Sequence, residues 1–352
     1  MKKNILFFIL TLVMTAGFTA CKTQAKGVPA SITAYEATSR PVPAWGPHLS
    51  PGMVLVKTGS FLMGSDEWRD MDARPVHKVT LSSFYISKYP VTQAQYLAVT
   101  GFNPFFYTGS SVHTPPYLRA QFPEGVTNGD RLPAEQITWF DAVEFCNKLS
   151  ALEGYTQVYT IRGREPAAGY PIINAEVTAD WNANGYRLPT EAEWEYSAKG
   201  GDGMGPYFIY SGSNDPETVA WYNSSSDKWA EGVKDLLEQP KEGDTIRFQV
   251  ASGHYVGSHN RTYPVGGKAP NSLGIYDMSG NVWEWCWDWF GDYADTHQTD
   301  PRGPASGDRR VKRGGGASEA GAATIRIASR DYYFPFWWYA YMGIRLVRNA
   351  AP

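Results

Sequence analysis

The chain has 352 residues and a formal net charge of −3, without the basic stripe that nucleic acid requires, so nucleic acid is excluded as a partner. Charged residues make up only 19% while aromatic residues reach 14%, in the company of 35 Gly and 24 Pro. That balance excludes a short-loop helical bundle and describes a loop-rich globular domain carrying aromatic anchors.

Lys2 and Lys3 precede an apolar run from Ile5 to Phe18, too short to span a bilayer as a mature helix. The run ends Phe18-Thr19-Ala20-Cys21. Small residues just before a cysteine resemble the cleavage box of bacterial lipoproteins, although Phe18 stands where leucine is usual. Residues 1–20 then form a lipoprotein signal peptide, and Cys21 becomes a lipidated N-terminus whose several acyl chains give stable membrane anchoring. An ordinary secretory cut near Ala20 is the alternative. Residues 21–50, rich in Ala, Thr, Ser and Pro, read as a flexible tether. The expected location is a bacterial outer membrane or cell surface.

From Pro51 onward the pattern is that of one folded domain, 51–352. Met53–Val56 and Gly59–Gly64 read as two strands, and Val79–Leu81 with Phe84–Ile86 as another pair. Thr92 caps a helix from Gln93 to Val99 that stops at Gly101. A second helix runs from about Trp139 to Leu152, with Ala142, Val143, Cys146, Leu149 and Leu152 at three- and four-residue spacing. Thr190 opens a third, short helix with an acidic first turn. Strand patterns return at Val282–Trp287, Val311–Arg313 and Ile344–Val347, while Tyr155–Gly185 and Asn223–Tyr263 look like long ordered loops. Cys146 and Cys286 form either one disulfide or two buried free thiols, and spacing does not decide between them.

Eight of the ten residues from Tyr332 to Tyr341 are aromatic: Tyr332, Tyr333, Phe334, Phe336, Trp337, Trp338, Tyr339 and Tyr341. The run has neither strand nor helix periodicity, so some of these rings must lie outside the core. Tyr and Trp offer large contact area with few rotors to freeze, which makes an exposed cluster of them a binding surface. The alternative is an aromatic core segment with satisfied polar tips.

Four segments in chain order carry a family resemblance. They are Gly59–Gly64, Tyr186-Arg187-Leu188-Pro189-Thr190-Glu191-Ala192-Glu193-Trp194-Glu195-Tyr196, Asn271 through Trp285 (with Gly280-Asn281-Val282-Trp283-Glu284-Trp285), and Arg313-Gly314-Gly315 paired with Gly343-Ile344-Arg345-Leu346. Together they resemble the formylglycine-generating-enzyme, or sulfatase-modifying factor, family over nearly all of the mature chain. The resemblance implies an α+β, C-type-lectin-like fold with little regular structure. Read locally, Gly64 and Gly280 sit where turns demand positive φ, and Glu195, Trp283 and Trp285 are expected to be structural.

The family's oxidases bind copper through two cysteines shortly after the Arg-Gly-Gly turn, because thiolates are needed for that soft-metal chemistry. Here the matching stretch, Gly316 to Thr324, holds no cysteine, and none follows Cys286. No copper and no formylglycine formation are therefore expected. The resemblance also implies one calcium held by the side chain of Asp277, the carbonyls of Gly280 and Val282, and the carboxylate of Glu284. The alternative is that these groups only hydrogen-bond the loop. A second family site would fall near Asn223 and Ser224.

Between about 313 and 345, a frame of Arg313, Gly314, Gly315, Ala320, Arg326, Ala328, Arg330, Pro335 and Gly343 alternates with arbitrary-looking residues. This layout is similar to the variable proteins of diversity-generating retroelements, those of treponemes especially. It implies a non-enzymatic, surface-exposed lipoprotein, expected to be a monomer, that binds a protein or other surface ligand through its C-terminal region. The candidate ligand-binding residues are Ala317, Ser318 and Glu319 together with the eight rings from Tyr332 to Tyr341. An enzyme with an unidentified non-cysteine activity, or an assembly or motility lipoprotein, is the alternative.

Overall fold

The computed structural model describes residues 52–67, 70–107, 131–201, 208–223, 261–319 and 321–350. The expected signal peptide, Cys21, the tether, Ser224, most of the 223–263 stretch and Ala320 lie outside the described residues. Among the described residues no helix is long and apolar enough to cross a membrane.

Strands β1 (Met53–Val56), β2 (Gly59–Met63), β3 (His77–Leu81) and β4 (Phe84–Ser87) come first, then helices α1 (Gln93–Thr100) and α2 (Trp139–Leu152). They are followed by β5 (Tyr159–Glu165), β6 (Asn174–Ala179), β7 (Tyr186–Arg187), α3 (Glu191–Ala198) and a single turn, α4 (Pro216–Val219). The C-terminal part supplies β8 (Trp283–Trp289), β9 (Gln298–Thr299), β10 (Arg310–Arg313), β11 (Arg330–Tyr333), β12 (Met342–Gly343) and β13 (Val347–Asn349). One four-stranded sheet has the order β1-β4-β13-β7 and another β11-β10-β8-β12, beside a three-stranded sheet β2-β3-β9 and the hairpin β5-β6.

The three longer helices start in the same way. Thr92, Thr138 and Thr190 each accept from the backbone three residues on, and Gln95, Asp141 and Glu193 reach back to the capping residue's own N–H. Helix α1 ends at Gly101, whose φ of 73° relieves the last turn. Gly64 and Gly280 adopt φ of 94° and 78°, as expected, and a Cβ on Gly280 would meet the Trp221 carbonyl oxygen at 2.2 Å.

Two expectations are corrected. The stretch Tyr155–Gly185 contains the β5-β6 hairpin, which escapes a period-two reading because Thr160, Arg162, Glu176 and their neighbours leave both of its faces half solvated. Ile344–Val347 is not one strand: β12 ends at Gly343 in one sheet and β13 begins at Val347 in another. Between them Arg345 turns fully into the interior. Cys146 and Cys286 are both free, buried thiols.

Strand β8 divides the core. Its alternate side chains point to opposite faces. Trp283, Trp285 and Trp287 face the cluster built on α2, where the Trp285 indole donates to the Ile137 carbonyl at 2.9 Å and Trp287 stacks on Tyr159 at 5.4 Å. Glu284, Cys286 and Asp288 face the side of α3, where Trp194, Tyr196 and Cys286 share a second cluster. The sequence Trp-Glu-Trp-Cys-Trp-Asp-Trp is therefore an aromatic face and a polar face interleaved in one buried strand.

Candidate ligand-binding face

On the α3 side of the sheet, β10 and β11 send arginines inward. Arg313 donates to Glu195 Oε2 at 2.5 Å and to Glu191 Oε1 at 3.2 Å, while Arg330 donates to both Glu191 oxygens at 2.8 and 2.7 Å. Lys199 and the Gly64 N–H complete the shell of Glu195 at 2.7 and 2.8 Å. Burial alone would raise the Glu195 pKa, but Lys199 and Arg313 outweigh it and hold the carboxyl down at about 2. Glu195 is thus structural, as expected.

Arg345 pairs with Glu284 through Nε and Nη2 at 2.8–3.1 Å, and Trp194 Nε1 donates to Glu284 Oε2 at 2.7 Å. This bears on the expected calcium site. Both Glu284 oxygens are turned toward an arginine and an indole, so Glu284 does not fit the role of a cation ligand. Asp277 is wholly buried, and burial pushes its pKa up to about 6 although its Oδ2 accepts the Gly266 N–H at 2.6 Å. Among the described residues no group of three or more His, Cys, Asp or Glu side chains is placed to hold a metal. In this pocket Arg345 supplies the positive charge that faces Glu284.

The opposite face carries the aromatic residues. The register Lys312↔Asp331 sets these side chains side by side, and Lys312 Nζ lies 2.8 Å from Asp331 Oδ2. The same ammonium sits 3.9 Å from the centre of the Trp283 ring and donates to the Tyr339 hydroxyl at 3.0 Å. Trp283 Nε1 in turn donates to Glu319 Oε1 at 2.9 Å. Burial lowers the Lys312 pKa, while Asp331 and Glu319 act against that shift. Tyr333 packs edge-on against Trp337 at 5.6 Å and leans on Tyr339 at 5.7 Å, closing a basin of rings over one ammonium.

The eight rings do not form one uniform surface, because β11 is an edge strand and the chain wraps around it. Tyr333, Trp337 and Tyr339 gather around Lys312. Tyr332 instead packs on Phe290 at 4.2 Å, Phe334 stacks on Phe336 at 5.5 Å, and the Arg309 guanidinium lies 4.8 and 5.1 Å from Tyr332 and Phe334. Phe336, Trp337 and Trp338 are the exposed members, at 42%, 49% and 42%. Tyr332, Tyr333, Phe334 and Tyr339 are half-buried, as are Ser318 and Glu319.

Two candidates are corrected. Tyr341 is buried, with its hydroxyl bonded to that of Tyr107 and its backbone carbonyl accepting from Trp283 at 2.7 Å. Ala317 is fully buried, its N–H donating to the Asn281 carbonyl at 2.9 Å. Each has the backbone bonds of a frame position, so neither can offer its side chain to a ligand. Lys312, Asp331 and Arg309 belong to the face and were not among the expected residues. Alternation along β10 and β11 from the inward Arg313 and Arg330 places Lys312 and Asp331 outward.

The exposed rings stand on fixed backbone. Trp139 N–H donates to the Pro335 carbonyl at 2.9 Å, Trp337 to Phe334 at 3.0 Å, Gln136 to Tyr339 at 3.2 Å and Met342 to Tyr339 at 2.9 Å. A ligand meeting these rings would therefore not have to order the loop that carries them.

A family model described as the sulfatase-modifying factor enzyme 1-like domain matches residues 41–350. The chain is 35% identical to the chaperone protein LppX of Paenibacillus barcinonensis, over 92% of each chain. It is 30% identical to the formylglycine-generating enzyme of Thermomonospora curvata, over 85% of this chain and 93% of that one. Among solved structures, Treponema denticola variable protein 1 superposes with a TM-score of 0.65 at 30% identity, covering 85% of this chain and 95% of the other. The α+β, loop-rich, C-type-lectin-like architecture expected from the motifs is the one observed. The chain belongs to the sulfatase-modifying factor enzyme 1-like family.

Proposed function

We propose that this chain is a binding protein, anchored by lipid at Cys21 and displayed at a bacterial surface, whose ligand is a protein that docks on the aromatic face. The observation that carries this reading is the trio Phe336, Trp337 and Trp338, exposed on a backbone pinned to α2 and β12. Large aromatic side chains held rigid at a patch centre are where binding energy concentrates. Formylglycine formation is not the activity, since the copper-binding cysteines of the family's oxidases have no counterpart after Cys286. Likeness to the treponemal variable protein supports a face whose side chains differ between copies. In that case a template repeat and a reverse-transcriptase gene lie beside the coding sequence.

The test is the double substitution Trp337→Ala/Trp338→Ala. Partners retained from a surface extract by the wild-type protein are expected to be lost, while the melting temperature changes little. A folded double variant that retains them would overturn the site. For the anchor, Cys21→Ala is expected to move the protein out of the detergent phase of a Triton X-114 partition.

A second reading is favoured by the likeness to the chaperone protein LppX. Here the ligand is a client protein that is still folding. Suppression of a client's aggregation by the wild type, lost in the double variant, separates this from recognition of a folded partner.

A further inference from the structure

From the charges around the Lys312 basin, we propose that the group recognised there is a cationic side chain, Lys or Arg, presented by the protein partner. The inference rests on the reading of the aromatic face as the docking surface and adds the chemistry of what it takes.

Three ionisable side chains meet beneath the exposed rings. Lys312 brings one positive charge, but only 6% of its side chain is exposed and its ammonium is spent on Asp331, Tyr339 and the Trp283 ring. Asp331 pairs with it through one oxygen and leaves 44% of its side chain in solvent. Glu319, half-buried, touches the same Trp283 indole from its Nε1 edge. Two carboxylates against one sequestered ammonium leave the basin a net charge of −1. The second ring group is balanced differently, since Arg309 is paired with Asp308 at 3.8 Å. The unbalanced negative charge is therefore on the side of Tyr333, Trp337 and Tyr339.

Aromatic faces carry negative electrostatic potential, and a guanidinium or ammonium over such a face is attracted more strongly as water is removed. A carboxylate beside the ring adds a charge-assisted hydrogen bond. An anionic partner group would meet the opposite of both conditions. The accessible charge, Asp331 and Glu319, and the accessible rings thus select the same kind of guest, while Lys312 keeps the floor from collapsing into an unpaired pair of acids.

The probes are a blocked tetra-arginine peptide and a blocked tetra-glutamate peptide, titrated against the folded domain by tryptophan fluorescence and calorimetry. Tetra-arginine is expected to bind and tetra-glutamate not to bind. Glu319→Gln, which keeps an oxygen for the Trp283 N–H, is expected to weaken tetra-arginine binding about tenfold. Lys312→Met removes the competing charge and is expected to strengthen it. A purely apolar surface would not respond to these two variants with opposite signs. Melting curves of both variants confirm that they are folded, and Glu319→Gln carries the test if Lys312→Met is not. Equal affinity for wild type and Glu319→Gln, with loss in Trp337→Ala/Trp338→Ala, would overturn the charge assignment and leave the docking face standing. Tighter binding of tetra-glutamate, or no binding of tetra-arginine by the wild type, would overturn the proposal outright.

Discussion

The same stretch of chain, Arg313 to Arg345, builds two regions that differ in almost every respect. Inward, Arg313, Arg330 and Arg345 are buried against Glu191, Glu195 and Glu284, with nearly every polar atom given a partner. Outward, Phe336, Trp337 and Trp338 are exposed and make few polar contacts. Directional, saturated ion pairs tolerate few substitutions, since removing one partner strands the other. An exposed ring can be replaced at little cost to the fold. The difference teaches how one segment can hold a fold and still vary its surface: the fixed arginines carry the geometry, and the rings between them carry none of it.

The largest effect should come from breaking the inner region. Arg345→Met leaves Glu284 buried without its counter-charge and should destabilise the domain by about 3–5 kcal/mol in urea denaturation. A loss below roughly 1 kcal/mol would mean that the ion pairs do not hold the frame. Acid should reveal the same region more gently. The Glu195 carboxyl, held at about 2 against an ordinary 4.5, contributes stability above pH 4.5 that is lost as pH falls toward 2. The amount is on the order of 3 kcal/mol, and Glu195→Gln should abolish that part of the acid dependence while lowering stability at neutral pH.

Asp288 works with the opposite sign. Burial, reinforced by Glu191, lifts its pKa from 3.8 to about 8, so its stabilisation is present below pH 3.8 and disappears as pH rises toward 8. Asp288→Asn should therefore flatten the stability profile across that interval, as read by melting temperature against pH. Smaller still is the expected response to calcium. With Glu284 committed to Arg345, EGTA and millimolar calcium should give the same melting temperature; a rise in calcium that Asp277→Asn abolishes would restore the metal reading. On the outer region, Phe336→Ala should cost less than about 1 kcal/mol while weakening ligand binding.

Much of this was legible because its physical cause is local. Thr92, Thr138 and Thr190 announce helix starts through hydrogen bonds that close within three residues. The missing period from Tyr332 to Tyr341 correctly signals rings outside the core, because periodicity is a direct record of which side faces solvent. What stayed illegible depends on distant partners. Tyr341 looks like its neighbours in sequence and is buried only because Tyr107 and Trp283, far away along the chain, meet it there. Lys312 reads as an ordinary basic residue until Asp331, Tyr339 and Trp283 are brought around it. The break between β12 and β13 has the same origin, since Arg345 must leave the strand direction to reach Glu284.

The two cysteines have a use that does not depend on any ligand. Cys146 lies in the cluster around α2 and Cys286 in the one around α3, each with no exposed surface. Burial raises both thiols, so neither offers a reactive thiolate while the domain is closed. A thiol reagent can modify Cys146 only after the α2 cluster opens, and Cys286 only after the α3 cluster opens. Labelling each sulfur in turn, with the other replaced by Ala, times those openings separately. Equal rates would mean that the domain breathes as a unit; unequal rates would identify which side of β8 lets go first.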